Sequence, residues 1–287
     1  MGDILSQFFK QKISIKFFYF YLVMSLLSTA IRNSYRAFAN HDIFFLFLQG
    51  KKDKIFSNGY EFQFHYYDPN VKNTSSNPPK VVRRDPLMPP YEPFVELGHF
   101  QNNGASHYLI LNKFQFKPGH IIMVVDNQKE IQGSLLKDHD FAMLSQLLNR
   151  IDDKGVAYYN GGVDAGCTQY HKHLQYVPSF DNPLFDAMAQ GEKLPYKYYT
   201  EKLEDYRASS IGDAYKKLFE RMDFDGSYNF LISNKIAAIV PRSKARHETG
   251  VLVNSMGVCG HLFVWNSNAK KAEQNPLNIL RDVCLPK

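Results

Sequence analysis

Two histidines and a glutamine alternate in one short stretch of the chain, directly after a glycine-rich run. His171, His173 and Gln175 stand at every second position, and glycines occupy positions 161, 162 and 166. In an extended strand alternate side chains point to the same face, so two imidazoles and an amide would line one wall. Glycines let a loop bring its backbone N–H groups close to an anion. The stretch therefore combines a candidate nucleophile with a candidate phosphate-binding loop.

Three roles are possible for the pair His171 and His173: metal binding, a structural role, or nucleophilic catalysis. The two imidazoles could share a metal ion, but a closed site needs two further ligands that the sequence does not reveal. They could also be structural histidines of a strand. Alternatively, one imidazole could attack a phosphorus atom while an acceptor at its other nitrogen fixes the tautomer.

The glycine-rich run favours phosphate chemistry without excluding the other two readings. Thr168 supplies a hydroxyl group and Gln169 an amide, which together with the glycines could hold a transferring phosphoryl group. The run is not a Walker loop, because the pattern GxxxxGK[ST] is absent.

Length, charge and cysteine content limit the class of protein. The 287 residues permit one large domain or two small ones, and the net charge of +6 suits polyanionic small molecules, nucleic acid or a membrane surface. No zinc-finger, helix-turn-helix or RNA-binding signature is present in the sequence. The three cysteines are widely spaced and form no CxxC, which argues against disulfides and a thiolate zinc site and favours a reducing compartment.

The hydrophobic pattern predicts an α+β fold with a mainly antiparallel sheet, because helices are inserted among strands that have hairpin-length connections. A helix is predicted from Asp138 and another over Ala208–Met222, with a long loop over Asp68–Pro90 and an irregular polar segment over Asn182–Tyr206. The predicted strands are 59–65, 107–111, 120–125, 156–159, 173–177, 228–233, 236–240, 250–254 and 261–265.

The N-terminal segment has an unusual composition. No acidic residue occurs between Ile4 and His41, and Phe17–Ile31 is mostly apolar. This run is short for a membrane span, which needs about 20 apolar residues. We expect a buried or poorly packed helix, with a signal or transit sequence as the alternative. Met1–Ser6 also match the loose N-myristoylation pattern.

Several segments resemble the histidine-triad superfamily, in the branch that has Gln at the third triad position. His171-Lys-His-Leu-Gln175 is similar to the active-site block of diadenosine tetraphosphate phosphorylases, also called ATP adenylyltransferases. Tyr170 stands where related enzymes often have Pro, Cys167 where many have Ser, and residues 180–225 look shortened. The resemblance extends from about Ala37 to near the C-terminus. It is supported by Asn160-Gly-Gly, Gly166-Cys-Thr-Gln169, Leu111-Asn-Lys-Phe114 with Pro118 and His120, Ser227-Tyr-Asn-Phe-Leu231, Val240-Pro-Arg-Ser243, and Asn254-Ser-Met-Gly257 through Gly260.

The resemblance implies a histidine-triad-like, mainly antiparallel sheet with flanking helices over residues 37–287, after an N-terminal extension over residues 1–36. It implies reversible phosphorolysis of diadenosine tetraphosphate to ADP and ATP through a covalent AMP–histidine intermediate. His173 would be the nucleophile, Gln175 a contact to the α-phosphate, and His171 a supporting residue. The other implied substrate-binding residues are Asn112, Lys113, Asn160, Gly166, Cys167, Thr168, Gln169, Asn254, Gly257 and Lys72. For His171, Lys113, Asn254 and Gly257, a purely structural or surface role is the alternative.

The implied partners are small nucleotides and phosphate rather than nucleic acid, with Mg²⁺ bound by the substrate as counter-ion and no zinc. We expect a cytoplasmic enzyme, with organelle targeting or membrane contact through the N-terminal segment as alternatives. Two other functions remain open. One is a sugar-nucleotide phosphorylase or uridylyltransferase of the same superfamily, although these usually carry HPH and many have a zinc site. The other is an inactive nucleotide-binding sensor.

Overall fold

Thirteen strands and seven helices make up the part of the chain that the structure describes. The computed structural model describes residues 15–45, 47–67, 84–102, 104–151, 154–178 and 181–287. The helices are α1 (Ile15–Ala39), α2 (Asp138–Leu148), α3 (Pro183–Ala189), α4 (Ala208–Met222), α5 (Ser255–Val258), α6 (Asn266–Gln274) and α7 (Pro276–Val283). The strands are β1 (Phe44–Phe45), β2 (Phe47–Ser57), β3 (Tyr60–Tyr67), β4 (Glu96–Asn102), β5 (Ala105–Leu111), β6 (Phe114–Gln115), β7 (Ile121–Val125), β8 (Val156–Gly161), β9 (His173–Val177), β10 (Tyr199–Lys202), β11 (Tyr228–Ser233), β12 (Ile236–Pro241) and β13 (His261–Val264).

Eight of these strands form one antiparallel sheet. Their order is β10-β12-β11-β8-β9-β7-β5-β4, and every neighbouring pair runs antiparallel. The predicted hairpin between β5 and β7 is present, with His107 opposite Val125 and Leu111 opposite Ile121. The α+β fold with a mainly antiparallel sheet is thus confirmed. A smaller sheet has the order β13-β3-β2, and β1 pairs with β6.

Both faces of the large sheet are covered, so the sequences of its inner strands are nearly continuous runs of apolar residues. On one face α2 and α4 contribute Phe141, Leu144 and Leu218 to a core that includes Leu174 of β9. On the other face the small sheet and the remaining C-terminal helices pack against residues such as Leu231. Because β9 is interior to the sheet and covered on both faces, all of its residues are buried.

Helix α1 packs through its C-terminal half. Ala30 and Ala37 are buried in the core, with Leu27 packed against it. The Ser34 hydroxyl donates to the carbonyl of Ala30 at 2.7 Å and accepts from the N–H of Gly119 at 2.9 Å, in the turn between β6 and β7. The predicted N-terminal helix is therefore present and partly buried. Within the described ranges, no helix is long and apolar enough to cross a bilayer. Residues 1–14, with the myristoylation pattern, lie outside the described residues.

Two predictions of local structure were wrong. Residues 250–254 are not a strand, since only Leu252 makes an isolated bridge, to Arg246. Gly250 lies in a turn with a φ of +83°, and Asn254 is the N-cap of α5. These two conformations at the ends of the segment replace an extended strand. The polar segment over Asn182–Tyr206 is not irregular throughout, because it contains α3 and β10. Most of the predicted loop over 68–90 lies outside the described residues.

Candidate active site

The strand β9, which carries the alternating residues, lies between β7 and β8. His173 is opposite Val124 of β7, while Gln175 is opposite Ile122 of β7 and Tyr158 of β8. His171 precedes the strand and forms an isolated bridge to Ile131. The predicted strand thus begins at the second histidine, and the first belongs to the segment that leads into it.

His173 is held in one tautomer by the backbone of its own chain. Its Nδ1 atom lies 2.8 Å from the carbonyl oxygen of His171. A carbonyl can only accept, so Nδ1 carries the proton and Nε2 keeps its lone pair. Burial lowers the pKa of His173 to about 4. The ring is therefore neutral near pH 7 and has a free Nε2 lone pair, as a nucleophile requires.

His171 is oriented by a carboxylate. Its Nδ1 atom lies 2.7 Å from Oδ2 of Asp85, which is itself partly buried. The carboxylate fixes the Nδ1 proton, and the Nε2 atom is buried with no hydrogen-bond partner among the residues that the structure describes. A buried polar atom without a partner is uncommon and costs free energy. With the proton on Nδ1, the Nε2 atom of His171 is an acceptor without a partner in the described ranges, which suits a ligand hydroxyl group.

The oxygen of Gln175 is fully occupied by protein donors. The Tyr158 hydroxyl donates to Gln175 Oε1 at 2.9 Å, His120 Nε2 lies 2.9 Å from it, and Asn112 Nδ2 lies 3.4 Å from it. The N–H of Phe116 donates to Nδ1 of His120 at 3.4 Å, so Nε2 of that ring carries the proton. Burial also lowers the pKa of His120 to about 4. The Nε2 amide group of Gln175 is thus the end that remains for a ligand.

Asn160 is oriented in the same way, at the end of β8. Its Oδ1 atom accepts from Asn229 Nδ2 at 2.9 Å, from Ser255 N at 3.0 Å and from Ser255 Oγ at 2.7 Å. The buried guanidinium of Arg242 donates to Oδ1 of Asn229 at 2.6 Å and fixes that amide in turn. The nitrogen of the Asn160 amide is therefore the group that can reach a ligand, as it is for Gln175.

The side chain of Gln132 connects β8 and β9 at the point where these two strands separate. Its Oε1 atom accepts from the backbone N–H of His173 at 2.8 Å. Its Nε2 atom donates to the carbonyls of Asn160 at 2.9 Å and His173 at 3.2 Å. This one side chain therefore replaces a missing stretch of strand pairing and fixes the backbone of the candidate nucleophile.

The loop between β8 and β9 needs glycine at two positions. Gly162 and Gly166 have φ values of +104° and +81°, a region that disfavours other residues. A side chain at Gly166 would also collide with the backbone of Val253 and Asn254. Burial raises the pKa of the Cys167 thiol, so it stays protonated. Thr168 and Gln169 are exposed in the same loop.

The structure brings together five of the predicted site residues: Asn112, Asn160, His171, His173 and Gln175. Others are placed differently. Lys113 is exposed, with its ammonium 3.5 Å from Glu92, and Asn254 caps α5 by accepting from Met256 N and Gly257 N. Lys72 lies outside the described residues.

Sequence reasoning missed several residues of this site. None of the segments that carry the family resemblance contains Asp85, Gln132 or Tyr158. Only the tertiary fold brings these three residues to His171, His173 and Gln175. Three others lie inside the segments quoted above, although no role followed from the pattern: His120, Asn229 and Ser255.

Family comparisons match nearly all of the chain after its N-terminal segment. Residues 44–197 match the profile of the Ap4A phosphorylase N-terminal domain, where Ap4A is diadenosine tetraphosphate. Residues 192–286 match the ATP adenylyltransferase C-terminal domain.

Two curated yeast proteins are similar in sequence. Protein APA1 of Saccharomyces cerevisiae is 26% identical, over 70% of this chain and 75% of that protein. Diadenosine 5',5'''-P1,P4-tetraphosphate phosphorylase 2 of the same organism is 28% identical, over 63% of this chain and 68% of that protein.

Solved structures of a yeast relative share the fold. The crystal structure of yeast Ap4A phosphorylase Apa2 in complex with Ap4A has a TM-score of 0.74 and 21% identity, and the match covers 91% of this chain and 97% of that one. The complex of the same protein with AMP has a TM-score of 0.73, covering 92% and 98%.

The tautomer of His173 can be read directly by NMR. In protein with ¹⁵N-labelled imidazoles, we expect the His173 signals to show a proton on Nδ1 and to titrate with a midpoint near about 4, because burial disfavours the charged ring. Loss of the signals in a His173→Gln variant would assign them. A midpoint near the unperturbed value of about 6.5, or a proton on Nε2, would contradict this description.

Proposed function

The chain belongs to the family of Ap4A phosphorylases and ATP adenylyltransferases, and from this membership we propose that it phosphorolyses diadenosine tetraphosphate to ADP and ATP. The proposal covers the reverse reaction as well. The observation that carries it is the His173 ring, whose Nδ1 proton is fixed by the His171 carbonyl while Nε2 stays unprotonated.

In the first step, His173 Nε2 attacks the α-phosphorus of the dinucleotide. An N–P bond forms, the bond from that phosphorus to its bridging oxygen breaks, and ATP leaves. Positive charge then develops on the imidazole, and the His171 carbonyl stabilises it through the Nδ1 proton. In the second step, an oxygen of inorganic phosphate attacks the same phosphorus, the N–P bond breaks, and ADP is released. The proposed covalent AMP–histidine is the kind of intermediate expected of a histidine-triad enzyme.

Donors around the nucleophile stabilise the phosphoryl group. The amide nitrogens of Gln175 and Asn160 are turned toward a ligand because their oxygens are occupied. His171 supports the strand, and its backbone carbonyl holds the Nδ1 proton of His173. The loop over 166–169 adds backbone N–H groups and the Thr168 hydroxyl. Positioned donors of this kind dominate catalysis of phosphoryl transfer. Contacts from Lys72, Lys113, Asn254 and Gly257 remain parts of the same proposal.

We propose that Mg²⁺ enters as part of the polyphosphate substrate. The side chains around His173 are amides and imidazoles, and the nearby carboxylate of Asp85 is already engaged by His171. Such a set does not suit a resident Mg²⁺ site, which prefers carboxylates. The ion would neutralise the leaving polyphosphate.

The remaining assignments rest on the sequence. We propose that residues 37–287 form the nucleotidyltransferase domain after an extension over residues 1–36. We also propose a cytoplasmic location, because Cys167, Cys259 and Cys284 are free thiols, as in proteins of reducing compartments.

A product assay tests the reaction. Purified protein is incubated with diadenosine tetraphosphate and Mg²⁺, with and without phosphate, and the nucleotides are separated. We expect ADP and ATP in equal amounts, and only when phosphate is present, because the adenylyl group needs an acceptor. AMP with ATP would identify a hydrolase instead, and no product would favour the sensor or the sugar-nucleotide enzyme.

Trapping of labelled AMP on the protein tests the nucleophile. In His173→Ala, we expect no labelled AMP on the protein, while the surface variant His99→Ala traps it normally. Undiminished trapping in His173→Ala would refute the assignment of His173 as the nucleophile.

The Gln175→Glu variant tests the orientation of that amide. A carboxylate keeps the shape of the side chain but replaces the donor nitrogen with negatively charged oxygen facing the phosphate. We expect kcat to fall roughly 10²–10³-fold, the cost of removing one transition-state donor. Gln190→Glu, an exposed change of the same kind, serves as the control. Equal rates for the two variants would remove Gln175 from the proposed mechanism.

A further inference from the structure

A cluster of buried ionic and imidazole groups lies behind the histidine strand. Because side chains alternate, Lys172 points to the opposite side from its two histidine neighbours. Its ammonium is fully buried, and it meets Asp140 of α2 and Glu130. His107 of β5 and His139 of α2 complete the group. These five residues, called the back cluster below, take no part in the proposed reaction.

The ammonium of Lys172 binds only one oxygen of each carboxylate. Its Nζ atom lies 2.6 Å from Asp140 Oδ2 and 3.1 Å from Glu130 Oε2. The other two oxygens, Asp140 Oδ1 and Glu130 Oε1, lie on the side of the imidazoles. Asp140 thus has one oxygen for the Lys172 ammonium and one for the rings, whereas Glu130 Oε1 is already bonded by the Lys137 ammonium at 3.0 Å.

The distances between these oxygens and the rings are unusual for hydrogen bonds. His107 Nε2 and His139 Nε2 lie 3.5 Å and 3.6 Å from Asp140 Oδ1, and His139 Nε2 lies 3.5 Å from Glu130 Oε1. Good hydrogen bonds of this type are about 2.7–3.2 Å long. The Nε2 atom of His139 is buried without any hydrogen-bond partner in the described part of the chain.

The distances from Asp140 Oδ1 to the two Nε2 atoms match the spacing between ligands of one tetrahedral ion. Metal–ligand bonds of about 2.0–2.2 Å give tetrahedral edges of about 3.3–3.6 Å. One donor atom each from His107, His139 and Asp140 also lies within 4.8 Å of the others.

We propose that His107, His139 and Asp140 bind one divalent ion of the zinc class, contrary to the expectation of no zinc, with water at the fourth position and Lys172 as an outer hydrogen-bond partner of Asp140. Two imidazole nitrogens favour zinc or cobalt over Mg²⁺ or Ca²⁺. The exposed ammonium of Lys137, which lies 3.0 Å from Glu130 Oε1, adds a positive charge beside this site. The ion would join β5 to α2, and Asp140 would connect it to Lys172, the residue between the two active-site histidines.

Cobalt binding to the full-length protein tests this site. After chelator treatment, Co²⁺ is added, and visible absorption and thermal unfolding are recorded. We expect the absorption of tetrahedral Co²⁺ at one equivalent per chain, a raised Tm, and displacement by Zn²⁺. In His139→Gln, affinity should fall on the order of 100-fold. His99→Gln, which changes a surface histidine paired with Asp126, should bind as the unmodified protein does.

Lys137→Gln provides a second test in the opposite direction. Removal of this positive charge beside the site should tighten Co²⁺ binding, which a merely structural role for the histidines would not produce. His173→Ala should bind Co²⁺ normally, so this result is independent of phosphorolysis. The proposal is overturned if the unmodified protein shows neither the absorption nor the Tm shift, or if His139→Gln and His107→Gln both bind as tightly as it does.

Discussion

The hydrogen bond from His173 Nδ1 to the carbonyl of His171 is the constraint on which the site depends. It selects the tautomer that leaves Nε2 free, and it joins the candidate nucleophile to the backbone two residues earlier. The bond persists only if the backbone at both residues is fixed. Gln132 fixes the backbone of His173 by bonding both its N–H and its carbonyl. The carboxylate of Asp85 fixes the ring of His171.

The same short segment is anchored on both faces of the sheet. On one face, Gln175 and Asn160 present amide nitrogens because protein donors fill their oxygens. On the other face, Lys172 is buried against Asp140 and Glu130. Removal of one partner from such a buried ion pair typically costs about 3–5 kcal/mol, because the remaining charge is left without compensation. The position of the nucleophile is therefore coupled to the packing of α2.

Local patterns in the sequence were sufficient for the six inner strands of the large sheet, including the one that carries His173, and for α2 and α4, since these depend on periodicity and turns. They did not predict the two edge strands, β4 and β10. The family resemblance supplied the roles of His173 and Gln175. The partners that fix the chemistry could not be predicted in this way. Asp85, Gln132 and Tyr158 are distant in sequence from the residues that they orient, and no spacing rule connects them. Helix α3 was missed because its stability comes from tertiary burial of Leu184, Phe185 and Met188.

The most direct measurement is the position of the adenylyl group on the trapped intermediate. Protein with ¹⁵N-labelled histidine side chains is treated with the dinucleotide in the absence of phosphate, and the coupling between ³¹P and ring ¹⁵N is recorded. The account predicts coupling to Nε2 of His173, because the His171 carbonyl holds the proton on Nδ1. Attachment through Nδ1, or to any other residue, would contradict it.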